Sequence, residues 1–257
     1  MRRALVLLAV VLVGCGASAP RRVPHPVRAS NCAERLPLDT HLDVPPGTAR
    51  QPRPLILALH GAGQGGYGMQ RYTGLSEDAH GFVVAYPTTP HDNGFWKVDD
   101  VPRLLALVDA IGRCVPVGSV SAVGFSNGGL MANALACDAA DRVRTAVLVA
   151  SGYLGLGRCA PSRPVSVLDI HGTSDHVVPY RGLRAFVGEW ATRDGCGSTP
   201  TAVREQDGWP VTHLRWHRCA DGVRMEHLRV SGDTHGWPSL EDANQRIVAF
   251  LRAAGVR

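Results

Sequence analysis

The segment GFSNGG, residues 124–129, decides the fold that this chain can adopt. It follows an apolar run, SVSAV (119–123), and leads directly into LMANALACDAADR (130–142), which has helical spacing. Glycines stand two positions before and two positions after Ser126. Small residues are needed where a strand turns sharply into a helix, because larger side chains would clash there. The segment therefore predicts a strand, a tight turn centred on Ser126, and a helix.

The same turn suits Ser126 to nucleophilic chemistry. A serine hydroxyl is a poor nucleophile at neutral pH, so it must be exposed to substrate and activated by a base. A nucleophile elbow exposes it, and the helix start brings the amide of Asn127 towards a developing oxyanion. Gly-x-Ser-x-Gly alone is weak evidence, and its alternative is a helix start that Ser126 merely caps. The strand and helix on either side favour the elbow.

Short apolar runs recur along the chain, as expected of parallel strands that are covered on both faces. The runs are 55–60, 82–86, 120–125, 146–150, 165–170 and 225–230. Helical patterns lie at 101–113, 128–142, 183–194 and 240–254. This alternation predicts one α/β domain with a mostly parallel, doubly wound sheet, helices on both faces and no large cap domain.

In such a sheet an acid and then a histidine follow the serine, each on a loop after a later strand. Asp175 lies five residues after the run that ends at Ile170, where its carboxylate can face the same cleft as Ser126. Asp169 lies inside that run, and a buried carboxylate there would need a partner of its own. Asp175 is therefore the predicted acid.

The predicted base is His235 in SGDTHGWP, a short loop after the last predicted strand. It would remove the proton of Ser126 during attack, while Asp175 fixes its tautomer and stabilises the imidazolium. His176, beside Asp175, is the alternative base, although it lies on the loop of the acid. The remaining candidates lie within or before the last strand, or at earlier strand ends: His227, His213, His217, His171 and His60.

A second oxyanion donor is expected in LALHGAGQGG (57–66), the loop after the first central strand. Its glycines let the backbone approach a substrate closely. The amide of Ala62 is the predicted donor, and Gly63 is the alternative. A phosphate-binding loop is excluded because no Gly-Lys-Ser/Thr follows.

The first residues predict export. Two arginines precede an apolar run that is short for a membrane span, so residues 1–14 are interpreted as a signal peptide. Leu12-Val13-Gly14-Cys15 resembles a bacterial lipobox, which predicts acylation of Cys15; the alternative is ordinary cleavage near Ala17 or Ala19. Residues 15–30 then form a tether rich in proline, alanine and arginine, and residues 31–257 form the folded domain. The protein is expected at the outer face of a bacterial membrane or at the cell surface.

Charge and cysteine content narrow the class of protein further. The net charge of +5 falls to +3 when Arg2 and Arg3 leave with the signal, and no basic stripe interleaved with aromatics is present, so nucleic-acid binding is not supported. Six cysteines remain besides Cys15, and none has the spacing of a zinc site. Six cysteines allow 15 pairings. The shortest loops give Cys137–Cys159 and Cys196–Cys219, which leaves Cys32–Cys114.

With these motifs placed, the sequence resembles the secreted polyhydroxybutyrate depolymerase and feruloyl esterase group, α/β-hydrolases related to carbohydrate esterase family 1. The resemblance runs from about Leu38 to Phe250. It is carried by LHGAGQ, WKVDDVPRLLALVD, GFSNGGLMANALAC, HGTSDHVVPY and GDTHGWP. It implies ester hydrolysis without a metal or organic cofactor, with Ser126, Asp175 and His235 as nucleophile, acid and base. It also supports the two local cysteine pairings.

The sequence departs from that group at three places. Many members have cysteine where this chain has Ala62, so the corresponding disulfide should be absent. Gly232-Asp233-Thr234-His235 stands where they usually have Gly-Gly-Gly-His. After Trp237 and Pro238 the chain enters its last predicted helix almost at once, whereas many members insert a longer loop. All three departures bear on substrate preference.

Three aromatic residues near the motifs, Trp96, Tyr180 and Trp237, could line an acyl or sugar pocket, although aromatic residues more often pack in the core. The leading hypothesis is a monomeric, lipid-anchored serine esterase acting on feruloyl or acetyl esters of polysaccharide or on short hydroxyalkanoate esters. A serine peptidase of this fold would need a propeller or cap domain, for which the length leaves little room. A non-catalytic binding lipoprotein is the other alternative, and the presence of all three catalytic residue types argues against it.

Overall fold

The computed structural model describes residues 36–46, 51–151, 159–205 and 210–256. The strands are β1 (Thr40–Asp43), β2 (Arg53–Leu59), β3 (Val83–Pro87), β4 (Val117–Phe125), β5 (Val143–Val149), β6 (Ser166–Gly172), β7 (Thr201–Glu205), β8 (Val211–Arg215) and β9 (Met225–Val230). The helices are α1 (Gly66–Thr73), α2 (Leu75–Asp78), α3 (Val101–Cys114), α4 (Asn127–Asp138), α5 (Leu183–Arg193) and α6 (Ala243–Ala253). The signal peptide, Cys15 and the tether predicted from the sequence lie outside the described residues.

The strands form a single sheet in the order β1-β3-β2-β4-β5-β6-β9-β8-β7. The six strands from β3 to β9 in that order are parallel, and they are the six apolar runs of the sequence. Strand β1 pairs antiparallel with β3 at one edge, and β8 and β7 extend the other edge antiparallel to β9. The sequence did not reveal these edge strands, because β7 is exposed along almost its whole length and the others are short.

Helices cover both faces of the sheet. Side chains of α3, α4 and α5 pack on one face, together with Leu55, Leu57 and Leu59 of β2. Helices α1, α2 and α6 cover the other face, onto which Ile56 and Ala58 point. Successive strand residues thus enter opposite cores, which is why the central strands are apolar at nearly every position. The predicted fold class is confirmed.

Two predicted helix boundaries were wrong. The helix predicted over 128–142 ends at Asp138, because Ala139 leaves helical geometry and its carbonyl accepts hydrogen bonds from the amides of Arg142 and Val143 in a turn before β5. The helix predicted from residue 240 begins at Ala243, after a turn in which Ala243 donates to the Leu240 carbonyl. Helices α1 and α2 were not predicted from their glycine-rich segment. Within the described ranges, no helix is long and apolar enough to cross a membrane.

Two of the expected disulfides are present. Cys137 bonds to Cys159 and ties the end of α4 to the segment before β6. Cys196 bonds to Cys219 and ties the residues after α5 to those before β9. Both pairings agree with the shortest-loop prediction. The third pairing involves Cys32, which lies outside the described residues.

Candidate active site

Ser126 lies at the turn between β4 and α4 with φ of 53° and ψ of −116°. A positive φ is strained for a residue with a side chain and costs about 1–3 kcal/mol. The turn is held on both sides, because the Ser126 amide donates to the Val149 carbonyl at 2.9 Å and the Leu130 amide donates to the Ser126 carbonyl at 3.1 Å. The neighbouring strand and the first turn of the helix therefore keep the hydroxyl in this strained position.

Gly124 and Gly128 are glycine because backbone passes too close for a side chain. A Cβ at Gly124 would overlap the carbonyl of Gly128, and a Cβ at Gly128 would overlap the carbonyl of Leu59 at the end of β2. The sequence predicted that both glycines serve the turn. The contact with Leu59 adds that Gly128 also sets how closely the helix approaches the sheet.

Ser126, His235 and Asp175 form one chain of hydrogen bonds. The His235 ring lies with Nε2 2.9 Å from Oγ of Ser126 and Nδ1 2.8 Å from Oδ2 of Asp175. With the proton on Nδ1, the ring donates to the carboxylate and accepts the serine hydroxyl proton. The Asp175 side chain is fully buried, whereas 17% of the His235 side chain is exposed. The three residues predicted from separate loops therefore converge at the carboxyl ends of the parallel strands.

Asp175 accepts hydrogen bonds on both oxygens. The amides of Val177 and Val178 donate to its Oδ1 at 2.9 and 2.8 Å. His171 lies on the other side, with Nε2 3.2 Å from Oδ2 and 2.9 Å from the Val178 carbonyl. These contacts fix the orientation of the carboxylate towards His235. In the sequence His171 stands out only as a histidine at the end of a strand, and no motif there indicates its contact with Asp175.

The loops that carry Asp175 and His235 are joined directly. The Gly232 amide donates to Oγ1 of Thr173 at 2.8 Å, and the Ser174 amide donates to the Asp233 carbonyl at 2.9 Å. The Asp233 carboxylate is buried and accepts from the amides of Thr234 and Ser239 and from the Ser239 hydroxyl. Asp233, at one of the departures from the Gly-Gly-Gly-His pattern, thus shapes the turn that presents His235.

His176 and His60, which the sequence offered as other candidates, lie outside this chain of hydrogen bonds. His176 is exposed, and the ring bonded to Ser126 and Asp175 is that of His235. His60 is fully buried: its Nε2 accepts the Thr89 amide and its Nδ1 donates to the Gly61 carbonyl. Burial lowers the pKa of the His60 ring, which keeps it neutral in this structural role.

The structure distinguishes Ala62 from Gly63, the two candidates for the second oxyanion donor in the loop after β2. The Gly63 amide donates to the Gly94 carbonyl at 3.1 Å, so it is already engaged. Ala62 is exposed beside it. Asn127 is the first residue of α4, where the amide has no intrahelical acceptor. The Asn127 side chain bonds to the amide and carbonyl of Trp96, in the segment between β3 and α3, and so ties that segment to the start of α4.

The three predicted pocket aromatics lie in different environments. Trp96 is 3% exposed and its indole donates to the His60 carbonyl, so the prediction that it lines a pocket was wrong; its ring packs in the core. Trp237 is half-buried and donates from Nε1 to Asn244 and from its amide to the Tyr72 hydroxyl. Tyr180 bonds to His227 and lines a groove elsewhere.

Other aromatic side chains, which the sequence analysis missed, lie next to the base. The Phe125 ring lies 5.3 Å from the His235 ring and 5.6 Å from that of Tyr72. Tyr72 is about half exposed. Phe125 could have been found from its position next to Ser126; Tyr72 could not, because its segment carries no active-site motif.

Three relatives place these features among known proteins, although no protein-family model matches the chain. The putative esterase NocK of Nocardia uniformis subsp. tsuyamanensis is 34% identical over 240 residues, covering 77% of this chain and 70% of that protein. The bifunctional acetylxylan esterase/xylanase XynS20E of Neocallimastix patriciarum is 28% identical over 79% of this chain and 31% of that protein. The probable feruloyl esterase C of Aspergillus oryzae is 32% identical over 59% of each.

The chain therefore spans less than two thirds of the length of the last two relatives. Among solved structures, the acetyl xylan esterase from Aspergillus awamori superimposes with a TM-score of 0.64 over 82% of this chain and 93% of that chain, at 19% identity. A likeness at that identity shows a shared fold.

Proposed function

This chain belongs to the feruloyl esterase-like group of α/β-hydrolases, and on that premise we propose that it hydrolyses carboxylic esters through an acyl-enzyme on Ser126. The observation that supports the proposal most strongly is the unbroken chain of hydrogen bonds from Ser126 Oγ through His235 to the buried Asp175. A serine that merely capped α4 would need no such partners.

The proposed reaction begins when Ser126 Oγ attacks the acyl carbon and His235 Nε2 takes the hydroxyl proton. The imidazolium then protonates the departing alcohol oxygen as the acyl-enzyme forms. Water, deprotonated by His235, attacks the acyl carbon, and the proton returns to Ser126 as the acid is released. Asp175 remains ionised throughout and balances the charge on the ring.

The proposed oxyanion hole consists of the backbone amides of Ala62 and Asn127. Asn127 follows the nucleophile directly at the helix start, where the dipole also favours negative charge. Ala62 is preferred over Gly63 because the Gly63 amide is already bonded to Gly94. One such donor typically contributes about 3 kcal/mol to stabilising the transition state.

We place the substrate among feruloyl or acetyl esters of polysaccharide. The names of the relatives support this class. The exposed ring of Tyr72, which lies beside Phe125 and so close to His235, suits stacking on an aromatic acyl group or a sugar. A substrate panel compares the hydrolysis of feruloyl and acetyl esters with that of short hydroxyalkanoate esters. Faster turnover of the hydroxyalkanoate esters would overturn the substrate part of the proposal.

The test of the reaction uses labelling by a fluorophosphonate together with hydrolysis of a short p-nitrophenyl ester. Wild type is expected to label and to turn over the ester, whereas Ser126→Ala should do neither. Ser162→Ala, which changes an exposed serine outside the site, is the matched control and should behave as wild type. Absence of both labelling and hydrolysis in wild type would refute the esterase proposal.

We also propose that the mature protein is exported and anchored through acylated Cys15. The two disulfides suit an oxidising compartment. Labelled palmitate fed to expressing bacteria should enter wild type but not Cys15→Ser. Equal labelling of both chains, or of neither, would contradict acylation at this cysteine.

A further inference from the structure

A groove of about 840 Å³ lies between helix α5 and the antiparallel part of the sheet formed by β7, β8 and β9. Neither Ser126 nor His235 lines it. Tyr180, which lines the groove, connects it to the proposed active site: its ring lies 6.0 Å from that of His171, the residue that contacts Asp175. The groove is therefore a second concave surface beside the triad.

The groove is positively charged. Arg184, Arg204 and Arg229 line it, and no aspartate or glutamate does. Within the described ranges, none of these three guanidinium groups forms an ion pair, whereas Arg224 and Arg246, on the opposite face of the sheet, pair with glutamates. Guanidinium groups without carboxylate partners favour a ligand that brings its own negative charge.

A buried polar chain ends at the groove. Asp169 is fully buried and lies 2.7 Å from Nδ1 of His227, which is 1% exposed; Nε2 of His227 lies 2.8 Å from the Tyr180 hydroxyl. Burial raises the pKa of that hydroxyl, so it stays protonated and donates to the ring. Because Tyr180 lines the groove and its hydroxyl proton is donated to His227, the oxygen keeps lone pairs for a further donor, and residues that the proposed triad does not use hold it in place.

The remaining surface suits a hydroxylated ring. Trp216 is half-buried and lines the groove beside Leu214, which gives a partly apolar wall. Thr192 and Thr212 add hydroxyl groups. The combination of charge, aromatic surface and fixed hydroxyl acceptors fits a sugar that carries a carboxylate better than it fits a small inorganic anion.

We propose that this groove binds an acidic saccharide. Arg184, Arg204 and Arg229 contact its carboxylates, Trp216 packs against a sugar ring, and the Tyr180 oxygen accepts a hydrogen bond from a sugar hydroxyl. This binding is independent of hydrolysis at Ser126, so it is tested without turnover.

The experiment titrates the full chain with a tetragalacturonate and, separately, with a neutral xylotetraose, using calorimetry. The acidic tetrasaccharide is expected to bind at least tenfold more tightly, and its affinity should fall as salt rises because the charges are exposed to solvent. Arg229→Gln should weaken that binding about tenfold. Arg181→Gln removes the same charge from an exposed residue beside Tyr180 that does not line the groove, and should leave the affinity unchanged.

Tyr180→Phe keeps the ring and removes the hydroxyl acceptor. It should weaken the binding of tetragalacturonate and leave the binding of inorganic phosphate unchanged. Thermal melting of each variant separates loss of binding from loss of folding. Equal affinities for the acidic and neutral sugars, equal losses in Arg229→Gln and Arg181→Gln, or phosphate binding as tightly as tetragalacturonate would each overturn the proposal.

Discussion

At the scale of single residues, the proposed chemistry depends on how one carboxylate is held. Asp175 lies in a fully buried position, and the backbone amides of Val177 and Val178 donate to one oxygen while His171 and His235 approach the other. This arrangement holds the carboxylate in a single orientation. Nδ1 of His235 donates to it, which leaves Nε2 of the ring free to accept the proton of Ser126.

His235→Ala is expected to lower kcat on a p-nitrophenyl ester by about 10⁴-fold or more, because the base is removed from a unit that acts together. His176→Ala changes an exposed histidine on the neighbouring loop and should leave kcat within about twofold of wild type. Steady-state kinetics on both variants check this. Loss of turnover in His176→Ala with retention in His235→Ala would show that the base was wrongly assigned.

Asp194 offers a test of electrostatics away from the site. Burial raises the pKa of its carboxyl to about 6, although the Val165 amide donates to Oδ1. The folded state therefore holds the proton more tightly than the unfolded state, and the free energy of unfolding should fall as pH rises from about 4 to 6.

Asp194→Asn keeps the acceptor for Val165 and cannot ionise. Its free energy of unfolding should match that of wild type near pH 4 and exceed it by about 2 kcal/mol at pH 7–8. Urea unfolding at both pH values measures the difference. A variant that is equally destabilised at both pH values would show that the carboxyl has a packing role instead.

At the scale of elements, the elbow depends on how closely α4 approaches the end of β2. Gly128 lies against the Leu59 carbonyl, so the helix start, the nucleophile and the candidate oxyanion loop are positioned by one backbone contact. The acid and base loops are joined by the Ser174 amide, which donates to the Asp233 carbonyl, and by the Gly232 amide, which donates to the Thr173 hydroxyl. Contacts made mainly by backbone groups of different elements therefore fix the site.

Gly128→Ala should destabilise the protein by about 3 kcal/mol or more and reduce activity, because the added Cβ would overlap backbone that cannot move aside. Gly68→Ala, at an exposed position of α1, adds a Cβ that meets no atom within 4 Å and should be neutral or stabilise the protein by up to about 1 kcal/mol. Thermal melting measures the stability of both variants, and fluorophosphonate labelling measures their activity. A neutral Gly128→Ala would contradict the close approach.

At the scale of the whole molecule, two disulfides supplement a two-sided core. Each closes a loop of just over twenty residues between a helix and a later element of the sheet. Neither includes Ser126, His235 or Asp175, so loss of a disulfide should lower the stability of the fold before it alters catalysis.

Replacing Cys137 and Cys159 together with alanine should lower the free energy of unfolding by about 2–4 kcal/mol while the proposed triad remains intact. Denaturant unfolding and the rate of ester hydrolysis at 25 °C measure the two effects. Mass mapping provides the control: exported protein with free thiols at all the described cysteines would contradict the disulfide framework.

The sequence by itself determined the parallel centre of the sheet and the order of Ser126, Asp175 and His235. Strands buried on both faces must be apolar throughout, and local turn chemistry at an elbow demands glycine. These are requirements on neighbours in the chain, so they can be read from it.

Only the tertiary structure decided the rest. Several features depend on residues that only folding brings together. They are the antiparallel edges of the sheet, the contact of His171 with Asp175, the burial of Trp96 and the hydrogen bond from the Gly63 amide to the Gly94 carbonyl. Tyr180 meets His227 across 47 positions, and Ser126 meets His235 across 109. Such contacts leave no periodic signal, because packing and long-range hydrogen bonds, not local spacing, determine them.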